Sequence, residues 1–252
     1  MFINHGLVEG AASGIVLGGT IAPFGTIGST GTTAFASGQV TVLGTVSGAV
    51  GISAAPGITA GYTLTVGGIV MSTAGTAGTA VKLGSGNNRV ILAAGAAFQG
   101  VVDGGAGGQN VLEFDAGAYF RVAPDQFTNF QTLKLDTQVT MRLEAGKAKF
   151  ETLINDGRLK AAFGDSLAFT TASAASGGIV EVDGGGTVTF SGGLFEVARG
   201  GTASGTVSFV SGGTLQLDAT GFTGKLKGFG ASDRIDLRNI AFGSGTTRSF
   251  AA

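Results

Sequence analysis

With 48 glycines among 252 residues, only three prolines and no glycine at every third position, the chain departs from average globular composition yet excludes collagen. Hydrophobic residues at 43% exclude a disordered chain, and zero cysteines exclude disulfide frameworks and thiol chemistry. The net charge is -1, with 15 basic residues scattered singly among 16 acidic ones, so no basic cluster exists in the sequence to hold nucleic acid or anionic lipid.

The first residues, Met1-Phe2-Ile3-Asn4-His5, lack the basic and apolar regions of a signal peptide, so export would draw on a signal lying elsewhere. Nowhere do about 18 residues run apolar without clusters of Gly, Thr and Ser, so no transmembrane helix is expected. A unit of Gly, a small or β-branched residue, Val or Ile, then a polar or small residue recurs as Gly6-Leu7-Val8-Glu9, Gly25-Thr26-Ile27-Gly28, Gly44-Thr45-Val46-Ser47, Gly68-Ile69-Val70-Met71 and Gly100-Val101-Val102-Asp103. Gly6, Gly25 and Gly44 are evenly spaced, and the gaps then widen to Gly68 and again to Gly100. A period near 20 matches one coil of a parallel β-solenoid, each bend of which favours Gly or Asn.

Before Lys82 the only charged side chain is Glu9; after it, charges recur every few residues. Short segments of period-2 alternation follow: Arg89–Leu92, Thr132–Asp136, Ile179–Asp183, Thr187–Phe190 and Thr214–Asp218. Glycine recurs too often for helices, and the one helix-tolerant stretch, Met141–Ala145, sits between strand-like segments. A lone coil cannot bury its inward side chains, so coils must stack and pile like residues over like. The 18 Phe are expected inside that stack or covering its ends.

These features predict an all-β chain forming a single parallel β-solenoid. It is expected to be one continuous body: sparsely charged coils over 1–81, charged coils over 82–220 and a cap-like segment over 221–252.

Several segments resemble bacterial autotransporter passenger domains. Ile3-Asn4-His5-Gly6-Leu7-Val8-Glu9-Gly10 is similar to their I-x-N-x-G-x-I-x-G coils. Val81–Leu92 followed by Gly100–Gly107 resembles a coil pair such passengers carry, and Phe130–Leu135 and Phe150–Leu159 resemble their F-x-T-L and N-x-G-x-L coils. The tail from Gly221 to Leu237 resembles the G-F-G-x-x-D-x-I-D-L ending of secreted bacterial repeat proteins. The resemblance implies a single right-handed parallel β-helix of the pectin-lyase-like kind, acting as a secreted or cell-surface, outer-membrane-associated adhesin or stalk. Its partners would be host or neighbouring-cell glycans or proteins, with end-to-end or lateral self-association. The family's C-terminal membrane barrel, with amphipathic strands of about ten residues, has no recognisable counterpart in this sequence.

Candidate chemistry is thin. The calcium-binding nonapeptide G-G-x-G-x-D-x-U-x has two degenerate counterparts, in which Gln109 and Asn88 stand where Asp belongs. Asp103, Asp233 and Asp236 are the carboxylates left to such a site. Glycoside hydrolysis needs two carboxylates about 5–9 Å apart. Glu181 with Asp183, and Glu113 with Asp115, alternate onto one strand face. Solubilising charge on a strand accounts for both pairs. The single histidine, His5, has no Ser-Asp spacing around it to make a triad. The sequence therefore points to a non-catalytic segment with no cofactor and no nucleic-acid partner. Two alternatives stay open: a secreted polysaccharide-active enzyme using Glu181 and Asp183, and a calcium-stiffened or self-assembling surface-layer component.

Overall fold

The computed structural model describes residues 2–4, 7–10, 16–18, 21–23, 26–29, 32–54, 59–115, 117–144, 147–161, 166–169, 171–174, 179–182, 187–197, 202–203, 206–217, 222–238 and 243. Among them every strand pairing is parallel and no α-helix occurs; two single 3-10 turns, Gly75–Ala77 and Pro124–Gln126, are the only helical elements. The fold is a parallel β-helix.

Its register is continuous. One row runs Phe2, Ile21, Val40, Leu64, Val90, Leu112, Leu133, Leu153, Ala172, Phe195, Leu215, Ile235, each residue in register with the next. From Val40 to Leu153 every side chain of the row is buried, as are those of Phe195 and Leu215. Coil length varies along the row, short between Phe2 and Ile21 and longest between Leu64 and Val90. Bends absorb the difference, because a one-residue slip in a strand would turn every apolar side chain outward.

Each coil carries strands on three faces. The first face is a five-stranded sheet from Leu7–Gly10 to Ala97–Gln99, followed by a second five-stranded sheet from Tyr119–Val122 to Thr202–Ala203. The second face, which includes Thr79–Lys82 and Val101–Asp103, and the third, which includes Tyr62–Val66, Arg89–Leu92 and Val111–Phe114, merge into one 20-stranded sheet. Thr32–Val42, Thr187–Val197 and Thr206–Leu217 cause the merger, since each runs through a corner as one unbroken strand.

Alternation decides which side chains enter the core. Tyr62–Val66 and Thr132–Leu135 bury every second residue, so Leu64, Val66, Leu133 and Leu135 are sealed while Thr63, Thr65, Thr132 and Lys134 face outward. Fully burying such a Val or Leu contributes about 1.5–3 kcal/mol, and each inward residue does so only because the coils on either side cover it. Where the first face breaks between its two sheets, aromatic rings fill the interior. Phe114 meets Phe120 edge-on at a centroid distance of 4.9 Å, and Phe127 lies 6.0 Å from Phe98 and 6.4 Å from Phe130.

One local expectation needs correction. The strands after Gly6, Gly25, Gly44 and Gly68 do stack, with Leu7, Thr26, Thr45 and Ile69 in one row, but the next member of that row is Ala97. The strand after Gly100 belongs to the second face, with Val101 in register with Thr79. A Gly-Val-polar string marks the entry to a strand after any bend, so it does not say which bend. The helix-tolerant stretch is a strand, Thr140–Leu143, that buries Met141 and Leu143.

Candidate functional site

The bend before the third face holds a column of polar residues inside the stack. Register places Tyr62, Asn88, Asn110 and Gln131 one over another. The Tyr62 N–H donates to Asn88 Oδ1 at 2.9 Å, the Asn88 N–H to Asn110 Oδ1 at 2.9 Å, and the Asn110 N–H to Gln131 Oε1 at 2.7 Å. The amide nitrogens close the loops: Asn88 Nδ2 donates to the carbonyls of Gly84, Gly86 and Gly104, and Asn110 Nδ2 to those of Gly105 and Asn129. Asn88 and Asn110 are buried, and an amide suits the position because it accepts from the neighbouring coil and donates to bend carbonyls at once.

This geometry redraws the degenerate calcium motif. The residue stacked with Asn88 is Asn110, whereas Gln109 is exposed and its N–H donates to Asn87 Oδ1. The bend carbonyls of Gly84, Gly86, Gly104, Gly105 and Asn129 accept from the side-chain amides of Asn88 and Asn110. Asp103 braces the same bend, its Oδ1 accepting from the Gly105 N–H at 2.9 Å and from Asn129 Nδ2 at 2.7 Å. Asp233 does equivalent work in the last described coil, accepting from the N–H groups of Gly213 and Gly230, and Asp236 pairs with Arg238 at 3.1 Å. Asp103 is therefore not brought together with Asp233 and Asp236. Among the described residues no three His, Cys, Asp or Glu gather in a way that would hold a metal ion.

On the outside of the third face, Glu113 is nearly sealed, with its side chain 4% exposed between Arg89 and Lys134. Register stacks Glu113 directly on Lys134, whose Nζ reaches Glu113 Oε1 at 3.0 Å and Asp136 Oδ1 at 2.6 Å. Arg89, from the preceding coil, pairs with Glu113 Oε2. Hydrogen bonding to Asp136 first, and to Glu113 as well, holds the Lys134 ammonium above its ordinary value. Both oxygens of Glu113 are thus spent in tying three coils together, while Asp115 lies beyond the strand end, exposed. The strand Ile179–Val182 puts Glu181 in register with Lys160; the side chain of Glu181, and all of Asp183 and His5, lie outside the described residues.

The first face carries a different arrangement. Its outward row reads Arg121, Arg142, Lys160, each in register with the next. Tyr119 and Arg158 stand on the same side of their strands as Arg121 and Lys160, and Tyr119 is exposed. Arg121 reaches Glu144 at 3.1 Å, an exposed pair whose hydrogen bond raises the guanidinium above its ordinary value. Sequence alone misses this row because each member looks solitary along the chain, one to a coil. Coil length is the signal that aligns them. No protein-family model, curated protein or solved structure matches this chain.

Proposed function

We propose that the chain is a non-catalytic, structural segment of an autotransporter-like passenger, a shaft that spaces or presents a surface outside a bacterial cell. The observation that carries this reading is the unbroken register from Phe2 to Ile235. Stacked coils with fixed register resist bending and shear because each rung is hydrogen-bonded to both neighbours. The buried polar groups serve the same end, since Asn88 and Asn110 fasten successive bends and Glu113 fastens three coils. Asp103 and Asp233 brace bends in the same way, which supports a scaffold in preference to a reaction centre.

Surface display from the chain's own reading frame, with an epitope tag placed in it, tests the reading. Intact cells should bind an antibody against the tag, and external protease should remove it. A tag reached only after lysis would sink the display reading, and glycan turnover lost on Glu181→Gln would replace it with the enzymatic one.

A further inference from the structure

We infer that the outward row Arg121–Arg142–Lys160 on the first face is a binding strip for a linear sulfated polysaccharide lying along the stack. This rests on the proposed function and deepens it by naming the partner class of a displayed shaft.

Like charges directly opposite on neighbouring strands destabilise a sheet. The fold avoids that on the third face, where the register sets Glu113 against Lys134. On the first face it sets Arg against Arg and Arg against Lys in consecutive coils. Arg121 and Arg142 are exposed, so their heads reach solvent, and Glu144 meets Arg121 at the edge of the row. The row ends at Glu181, in register with Lys160, so Lys160 closes the strip and the exposed Arg121 and Arg142 carry it.

Rungs rise by about 4.8 Å, so the strip presents one cation per rung at close to the repeat of a single sugar ring. A sulfated chain bears an anionic group on nearly every ring and meets each rung in turn. Guanidinium groups suit sulfate oxygens because they donate two parallel hydrogen bonds and are weakly hydrated. Tyr119 and Thr140, the outward neighbours of Arg121 and Arg142, add hydroxyl groups and one exposed ring for a sugar to lie against. A single nucleic-acid strand is held by a series of aromatic side chains on which successive bases stack, and this row offers only Tyr119.

The strip is tested by titrating the purified chain with a size-defined heparin fragment at low salt, by calorimetry. Binding should weaken with salt, fall about tenfold in Arg142→Ser and vanish in Arg121→Ser/Arg142→Ser, each checked by circular dichroism for an intact β signal. Arg234→Ser, the same charge change at an exposed site in the last described coil, should bind as wild type. Hyaluronate, with a carboxylate on every second ring, should bind more weakly. No heparin binding, equal loss in Arg234→Ser, or equal affinity for a single-stranded DNA oligomer would each overturn the strip. Because the titration uses purified chain, it stands apart from display: heparin binding without surface exposure of the tag keeps the strip and removes the shaft's location.

Discussion

Replacing Asn110 by alanine is the sharpest probe of what fastens the coils. The substitution strips the Asn88 N–H of its acceptor and the carbonyls of Gly105 and Asn129 of their donor. A buried polar group left without a partner costs about 1–3 kcal/mol. Asn129 is exposed, so water reaches its carbonyl and relieves part of the loss, while the Asn88 N–H and the Gly105 carbonyl, both buried, bear it in full. The net expectation is a loss of about 3 kcal/mol, which in a chain of this length lowers Tm by roughly 6–12 °C. Asn110→Asp should do no better at neutral pH, because it keeps the acceptor for Asn88 but turns a carboxylate toward two carbonyls. The assay is thermal melting by circular dichroism in buffer with a chelator, so that no stray cation gathers at the new carboxylate. Amide exchange at Asn88 should accelerate with the loss. A Tm within about 2 °C of wild type for Asn110→Ala, or an Asp variant as stable as the parent, would refute the fastening role.

The buried ion pair should show a marked asymmetry: Glu113→Gln removes the sealed carboxylate from two cations and costs about 2 kcal/mol, whereas Arg89→Met, at a side chain 46% exposed, costs under about 1 kcal/mol in urea unfolding. The reverse order would contradict the geometry. Gly105 has φ +90° and a Cβ there would overlap the Gly84 carbonyl, while Gly117 has φ +82° with nothing within 4 Å. Gly117→Ala should therefore lose only about 1 kcal/mol from backbone strain, and Gly105→Ala clearly more; equal unfolding midpoints would count against the close stacking of these bends. Lys134 is raised above its ordinary 10.5, first by Asp136 and also by Glu113, so its stabilising share is full below that pH and fades as pH rises through the higher folded value. The stability gap between wild type and Lys134→Met should hold steady up to about pH 10.5 and then shrink, and a gap that widens in alkali would refute the assignment.

The parallel winding was legible because the strand-entry glycines Gly6, Gly25 and Gly44 recur at one coil length and because outward Thr alternates with inward Val and Leu. Beyond Gly68 the coils lengthen unevenly, so the same local string at Gly100 falls on another face. Asn88 stands out in the sequence as a degenerate ligand, yet the glycine spacing points to Gln109 and not to the stacked partner Asn110. The bend that carries Asn110 has one residue more between its stacked valine, Val102 in register with Val81, and its amide, so counting from the glycines lands one position short. Glu113 with Lys134, and Arg121 with Arg142, have the same separation along the chain. Residue type says whether such a pair would attract or repel; whether its members meet is set by the register, which composition does not reveal.

The uneven coil lengths carry a practical consequence. Leu153 and Ala172 keep their place across a short coil, and Leu64 and Val90 keep theirs across the longest, the surplus spilling in part into the solvent-facing turn around Gly75–Ala77. Foreign peptide grafted at that turn should add little more than the closure entropy of a longer loop. The scaffold would then carry cargo at a chosen height without disturbing the rungs above or below.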